Sequence, residues 1–223
     1  YSGPTQIDSR TLIDNFLVLS SSVDLKSDSG SSFIRLVAAG KKAQTCTQGS
    51  RIELHGGETL SIAGYHFDVL LTPGHTSNHL CLLDKSKKIF FAGDHICDAP
   101  PGCMQYAIND HLVARYLESL AQLKELNLQA VYMCHHNPLR GSFEINRFIS
   151  LIEGRYETLV IRARKLFADH EELTVREAAI VAAAHYPRGL EGFPVSTQIN
   201  RIATIFGTLE YLYDLGLLTR FIN

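Results

Sequence analysis

A chain of 223 residues with 45% hydrophobic and 20% charged residues is ordinary for a globular protein and can bury a substantial core, as one large domain or two small ones. A formal net charge of -2 and a pI near 6.6 give no footprint for nucleic acid or for an acidic membrane surface, so small or neutral partners are expected. Five scattered cysteines (Cys46, Cys81, Cys97, Cys103, Cys134) with no CxxC pair argue against a disulfide framework or a thiolate zinc knuckle; with no apolar run near ~20 residues and no signal sequence at the start, they suggest a reducing, cytoplasmic compartment.

In chain order, Ile7 to Leu19 reads as a short helix, followed by a serine-rich stretch (Ser20, Ser21, Ser22, then Ser27, Ser29, Ser31 and Ser32) that favours a flexible surface loop near 20–32. From Arg51 the pattern turns to short β-like runs: Ile52 to Leu54, Thr59 to Ile62, Phe67 to Leu71, Leu80 to Leu83 and Ile89 to Ala92, separated by Gly56-Gly57, Gly64 and Pro73-Gly74. Asn109 and Asp110 are suitable N-cap types for an amphipathic helix through Leu112, Tyr116, Leu120, Leu123 and Leu126, and Ala130 to Cys134 is then a compact apolar run. Strand, helix, strand at that spacing predicts a parallel crossover. Three helices follow, about Ser142 to Ala168, Thr174 to His185 with the capping box Thr174-Val175-Arg176-Glu177, and Ser196 to Leu215 with Gly216 as the stop. The division predicted is an α/β domain over 1–141 and an all-helical subdomain over 142–223.

Three polar motifs each stand at the carboxyl end of an apolar run: Thr72-Pro73-Gly74-His75-Thr76, Gly93-Asp94-His95, and Cys134-His135-His136-Asn137-Pro138. Side chains at neighbouring strand ends converge on one rim, where layered α/β proteins build their sites. Imidazole nitrogen and carboxylate oxygen are both good zinc ligands, and a carboxylate can bridge two ions. Singly, each motif has a plainer reading as a turn; their succession after buried-looking strands, 19 and 41 residues apart, favours a common site.

The run Leu71-Thr72-Pro73-Gly74-His75-Thr76-Ser77-Asn78-His79, then Ile89-Phe90-Phe91-Ala92-Gly93-Asp94, then His135 with Pro138-Leu139-Arg140-Gly141, resembles the later motifs of metallo-β-lactamase-fold hydrolases, from about Ile52 to the C-terminus. The resemblance implies part of an αββα metallo-β-lactamase-like sandwich. It makes His75 a ligand of the first metal, Asp94 the bridge between two and His135 a ligand of the second, with one or two zinc ions, or iron or manganese, as cofactor. His79 resembles a pocket histidine near the metals. His135 is preferred to His136 because the family ligand stands three residues before proline, and His136 then occupies a glycine position. His95 is expected at the surface or behind the ligands. The loop Asp98 to Tyr106 is expected to border the substrate pocket, with Tyr106 able to stack and to donate a hydrogen bond.

The same resemblance implies a metal-dependent hydrolase in which activated hydroxide attacks an ester, thioester or lactone carbonyl of a small acyl substrate. The family's His-x-His-x-Asp-His segment is absent: no two histidines here are separated by one residue. Without it the chain alone is expected to be inactive and no general base is assignable. Residue 1 is Tyr rather than Met, so the expectation is a part of a longer enzyme; the alternative is a non-catalytic half-fold interaction module whose bare apolar face would favour a homo-oligomer. The apolar spacing Ile199, Ile202, Ile205, Leu209, Leu212, Leu215 resembles the last helix of the winged-helix-like subdomain of lactamase-β-2-like proteins, some of which process RNA. Arg201 and Arg220 make no basic stripe, so a packing lid is expected there rather than a nucleic-acid surface.

Overall fold

The computed structural model describes residues 53–62, 64–97, 109–134 and 136–220. The expected helix Ile7 to Leu19, the serine-rich loop, Tyr106 and His135 lie outside them.

Six strands form one sheet in the order β1-β2-β3-β4-β5-β6. β1 (Thr59–Ile62), β2 (Tyr65–Leu71), β3 (Leu80–Asp84) and β4 (Ile89–Gly93) are an antiparallel meander. Helix α1 (Leu112–Glu125) then crosses over to β5 (Ala130–Met133), parallel to β4, as the spacing predicted. β6 (Leu139–Arg140) pairs antiparallel with β5; two residues are too few for a periodic signal, and the sequence gives no warning of it. The strand expected over Ile52 to Leu54 is absent at Glu53 and Leu54. The chain there enters a turn at Gly56 and Gly57 (φ 95° and 96°), closed by the Glu58 carboxylate, which accepts the N–H groups of His55 and Gly56 at 2.7 Å.

Period-two alternation divides the strand residues between the two faces of the sheet. Cys81, Leu83, Phe90, Ala92 and Val131 turn to one side and are buried against Leu112, Tyr116, Leu120 and Leu123 of α1 and Ile145, Ile149, Ile152 and Tyr156 of α2 (Ser142–Leu166). On the other side Phe91 stacks on Tyr132 with centroids 5.1 Å apart and meets Phe67 edge-on; Phe91 and Tyr65 stay 39% and 47% exposed.

Beyond α2 the described chain is helical: α3 (Val175–Ala183), a 3-10 turn (Leu190–Gly192) and α4 (Val195–Asp214). The capping box forms as written, Glu177 N donating to Thr174 Oγ1 at 3.2 Å and Thr174 N to Glu177 Oε2 at 2.8 Å. Gly216 (φ 67°) ends α4 in a Schellman motif, with Leu217 N bonded to Leu212 O and Gly216 N to Tyr213 O, both at 2.9 Å.

The start of α1 departs from expectation. Its N-cap is His111, and no side chain of its own caps it. Asn109 and His111 both sit in the left-handed region (φ 66° and 50°), and their N–H groups are accepted instead by the carboxylate of Glu210, on α4 and 3% exposed. Arg220 Nη1 donates to Glu210 at 3.2 Å, its Nη2 to Asn109 Oδ1 at 3.1 Å, and His111 Nδ1 lies 2.9 Å from Asp214. Burial and the neighbouring Glu210 push the Asp110 carboxyl above its usual range. Capping is long-range here because the acceptor lies about a hundred residues away.

Candidate metal centre

β2, β4 and β5 run in one direction, so their carboxyl ends meet on one rim. The β2–β3 hairpin tip carries His75: Thr72 N bonds His79 O at 2.8 Å, Gly74 N bonds Thr76 O at 3.1 Å, and the imidazole projects from the turn between them. Asp94 follows directly on β4. Cys134 N bonds Gly93 O at 3.2 Å, which brings the end of β5 alongside.

The structure brings His75 and Asp94 together, with Nε2 3.9 Å from Oδ2 and the side chains 24% and 35% exposed. Zinc bonds to nitrogen and oxygen are each about 2.0–2.2 Å, so two donors at this separation lie within reach of one ion. His75 Nδ1 is buried and meets no hydrogen-bond acceptor among the described residues. The donor chemistry therefore fits a hard or borderline cation, but as part of a site. No group of three or more His, Cys, Asp or Glu side chains converges on one point among the described residues, whereas even an open catalytic site takes three. His135 lies outside the described residues; the flanking Cys134 and His136 are exposed.

Behind the pair stands a row of imidazoles. His79 is half-buried, edge-on to His75 (centroids 6.5 Å) and stacked on His95 (5.7 Å, 29° between planes). Its Nδ1 lies 2.9 Å from the hydroxyl of buried Thr72, which also touches Cys81 Sγ at 3.0 Å. Burial lowers the pKa of His79, and the proximity of His75 adds to it, against the pull of Asp94. Gly93 (φ 53°) gives this ring its room: a Cβ there would stand 3.0 Å from His79 Nε2. Cys81 is desolvated until its thiol pKa rises to about 12, an inert neutral group that donates to Ala92 O at 3.3 Å.

His95 is fully buried rather than at the surface. Its Nε2 is 2.8 Å from Ser119 Oγ, its carbonyl accepts from Tyr116 Oη at 2.8 Å, and its Nδ1 has no partner among the described residues. Burial, with His79 and His75 nearby, lowers its pKa to about 3, so the ring is neutral at physiological pH. Motif reading passed over Tyr116 and Ser119. The available signal was a serine in the apolar stripe of α1, three residues after a tyrosine and one before Leu120.

No family model matches the chain. It is similar to hydroxyacylglutathione hydrolases from Yersinia enterocolitica (30% identical over 106 residues, 48% of this chain and 40% of that protein) and Legionella pneumophila (31% over 80 residues, 36% and 30%). Among solved structures, a metallo-beta-lactamase family protein from Thermus thermophilus superposes with a TM-score of 0.58 at 23% identity, covering 75% of this chain and 50% of that one. A beta-lactamase domain protein from Burkholderia ambifaria gives 0.62 at 16%, covering 76% and 48%. The chain thus spans less than half the length of these curated relatives. Strand order, the rim of strand ends and these superpositions agree: the chain has the metallo-β-lactamase fold, over about half the length of the structures that match it.

Proposed function

We propose that the intact protein is a metal-dependent hydrolase of a small acyl substrate, with His75 and Asp94 among the metal ligands and His135 as a further one. The approach of His75 Nε2 to Asp94 Oδ2 on the rim of strand ends carries this reading. Of ester, lactone and thioester, the thioester is favoured, since both curated relatives are named for cleaving an acyl–glutathione bond. Zinc suits the nitrogen and oxygen donors, with iron and manganese as the other candidates. When bound, such an ion lowers the pKa of water toward ~7 and polarises the carbonyl. The chain's own residues hold and orient: Thr72 fixes the His79 ring beside the ligands, and Ser119 fixes His95 behind it. Tyr106 is proposed to contact substrate and His136 to border the pocket.

The test pairs metal analysis of the protein carrying its full upstream sequence with thiol release from a hydroxyacyl–glutathione thioester. Bound metal and a loss of about a thousandfold or more in kcat/KM for Asp94→Ala are expected, since removing a ligand removes both roles of the ion. A metal-free protein, or unchanged hydrolysis by Asp94→Ala, would overturn the proposal. A second reading, a non-catalytic half-fold module, has one observation in its favour, the exposed aromatic strip of Tyr65 and Phe91. It requires a metal-free chain that self-associates on gel filtration.

A further inference from the structure

Both ligand-bearing turns rest on one side chain of α1. The buried ring of Tyr116 lies directly beneath Gly74, next to His75: a Cβ on Gly74 would come within 2.3 Å of Tyr116 Cδ2 and 2.8 Å of its Cβ and Cγ. From the other end of the same side chain, the hydroxyl donates to His95 O at 2.8 Å, next to Asp94. One turn further along α1, Ser119 Oγ donates to Tyr116 O at 2.9 Å and so turns a lone pair to His95 Nε2 at 2.8 Å. The Tyr116 ring itself packs against Tyr156 of α2, with centroids 5.3 Å apart. Its position is thus fixed from a second helix.

We infer that Tyr116 is a positioning residue that sets the spacing between His75 and Asp94, its ring spacing one turn and its hydroxyl the other, with Ser119 holding the His95 ring as the second point of attachment. The inference rests on the reading of His75 and Asp94 as ligands. A hairpin tip and a strand end, 19 residues apart in sequence, have no covalent reason to keep a fixed distance. A rigid phenol between them supplies one, and the glycine at 74 is what lets the ring come so close. Side chains in this supporting position tune metal sites without touching the ion, and losing one costs about 10- to 100-fold in affinity.

The test uses this chain labelled with 15N-histidine and compares the parent with Tyr116→Phe, which keeps the ring and deletes the hydroxyl, and with Leu123→Ala, which opens the same buried face of the same helix. Long-range proton–nitrogen spectra of the metal-free chain read the imidazoles directly. Tyr116→Phe is expected to move the ring signals of His95 and also of His75, which senses Asp94, while Leu123→Ala leaves His75 in place. Zinc titration against a chromophoric chelator is expected to show affinity about tenfold weaker for Tyr116→Phe. His75 signals and zinc affinity matching the parent would overturn the inference, and so would equal displacement of His75 by Leu123→Ala. If Tyr116→Phe does not fold, Ser119→Ala takes its place in the same comparison. If the parent chain takes up no zinc, the His75 signal decides the positioning role alone.

Discussion

Replacing Glu210 by alanine tests whether the entry to α1, and with it Tyr116 and Ser119, is held from α4. The carboxylate accepts the N–H groups of Asn109 and His111 and pairs with Arg220, its own side chain being 1% exposed. Each hydrogen bond to a charged group contributes roughly 1.5–3 kcal/mol. Asn109 and His111 also hold left-handed backbone that costs about 1–3 kcal/mol apiece and persists only while the surroundings enforce it. Partial relaxation of that strain offsets part of the loss, leaving a net destabilisation of about 3–5 kcal/mol, the range for breaking a buried pair. In a chain of this size that lowers the thermal midpoint by roughly 10 °C. Glu210→Gln keeps one acceptor oxygen and should lose about 1–2 kcal/mol. Differential scanning calorimetry on both variants gives the comparison. An alanine midpoint within about 2 °C of the parent would show that the cap is ornamental and the reasoning mistaken.

Gly93→Ala should lower stability by about 1–3 kcal/mol in a urea titration, because alanine is strained at φ 53°. The new Cβ also presses on His79 Nε2, so its ring signals should move; an unchanged ring would mean that the space beside Gly93 is not what seats it. The depressed pKa of His95 gives a sign for pH: between the unfolded value near ~6.5 and about 3, the unfolded chain takes up a proton that the folded chain refuses. That stability is fully present above ~6.5 and is lost as pH falls toward 3, so urea midpoints of the metal-free chain should fall across this window and fall less in His95→Gln. With its thiol pKa near 12 and its side chain buried, Cys81 should resist iodoacetamide until denaturant is added, whereas exposed Cys134 reacts at once, as peptide mass mapping will report. Early alkylation of Cys81 would contradict its burial.

Most of the architecture is legible in the residues because it is local. The short apolar runs Leu80 to Leu83 and Ile89 to Ala92, the four-residue rhythm of α1 and the capping box at Thr174 specify β3, β4, α1 and α3 within a residue or two of where they lie. Motif order, with the resemblance to metallo-β-lactamase-fold hydrolases, nominated His75 and Asp94, and the two stand 3.9 Å apart. The expected strand is absent at Glu53 and Leu54, which lead into the Gly56-Gly57 turn closed by the Glu58 carboxylate on His55 and Gly56, a closure that an apolar run does not disclose.

What the sequence by itself determined was therefore the periodic elements and the chemistry offered at the strand ends, both properties of neighbouring residues. Which side chain supports which was decided only in three dimensions. Asn109 and Asp110 look like caps, yet the cap is a carboxylate from α4; the sequence leaves His95 either at the surface or behind the ligands, and packing against Ser119 puts it inside. In each case the deciding contact joins residues far apart in the chain. Burial leaves a polar group only those partners that packing brings to it, and no reading of its neighbours in sequence can name them.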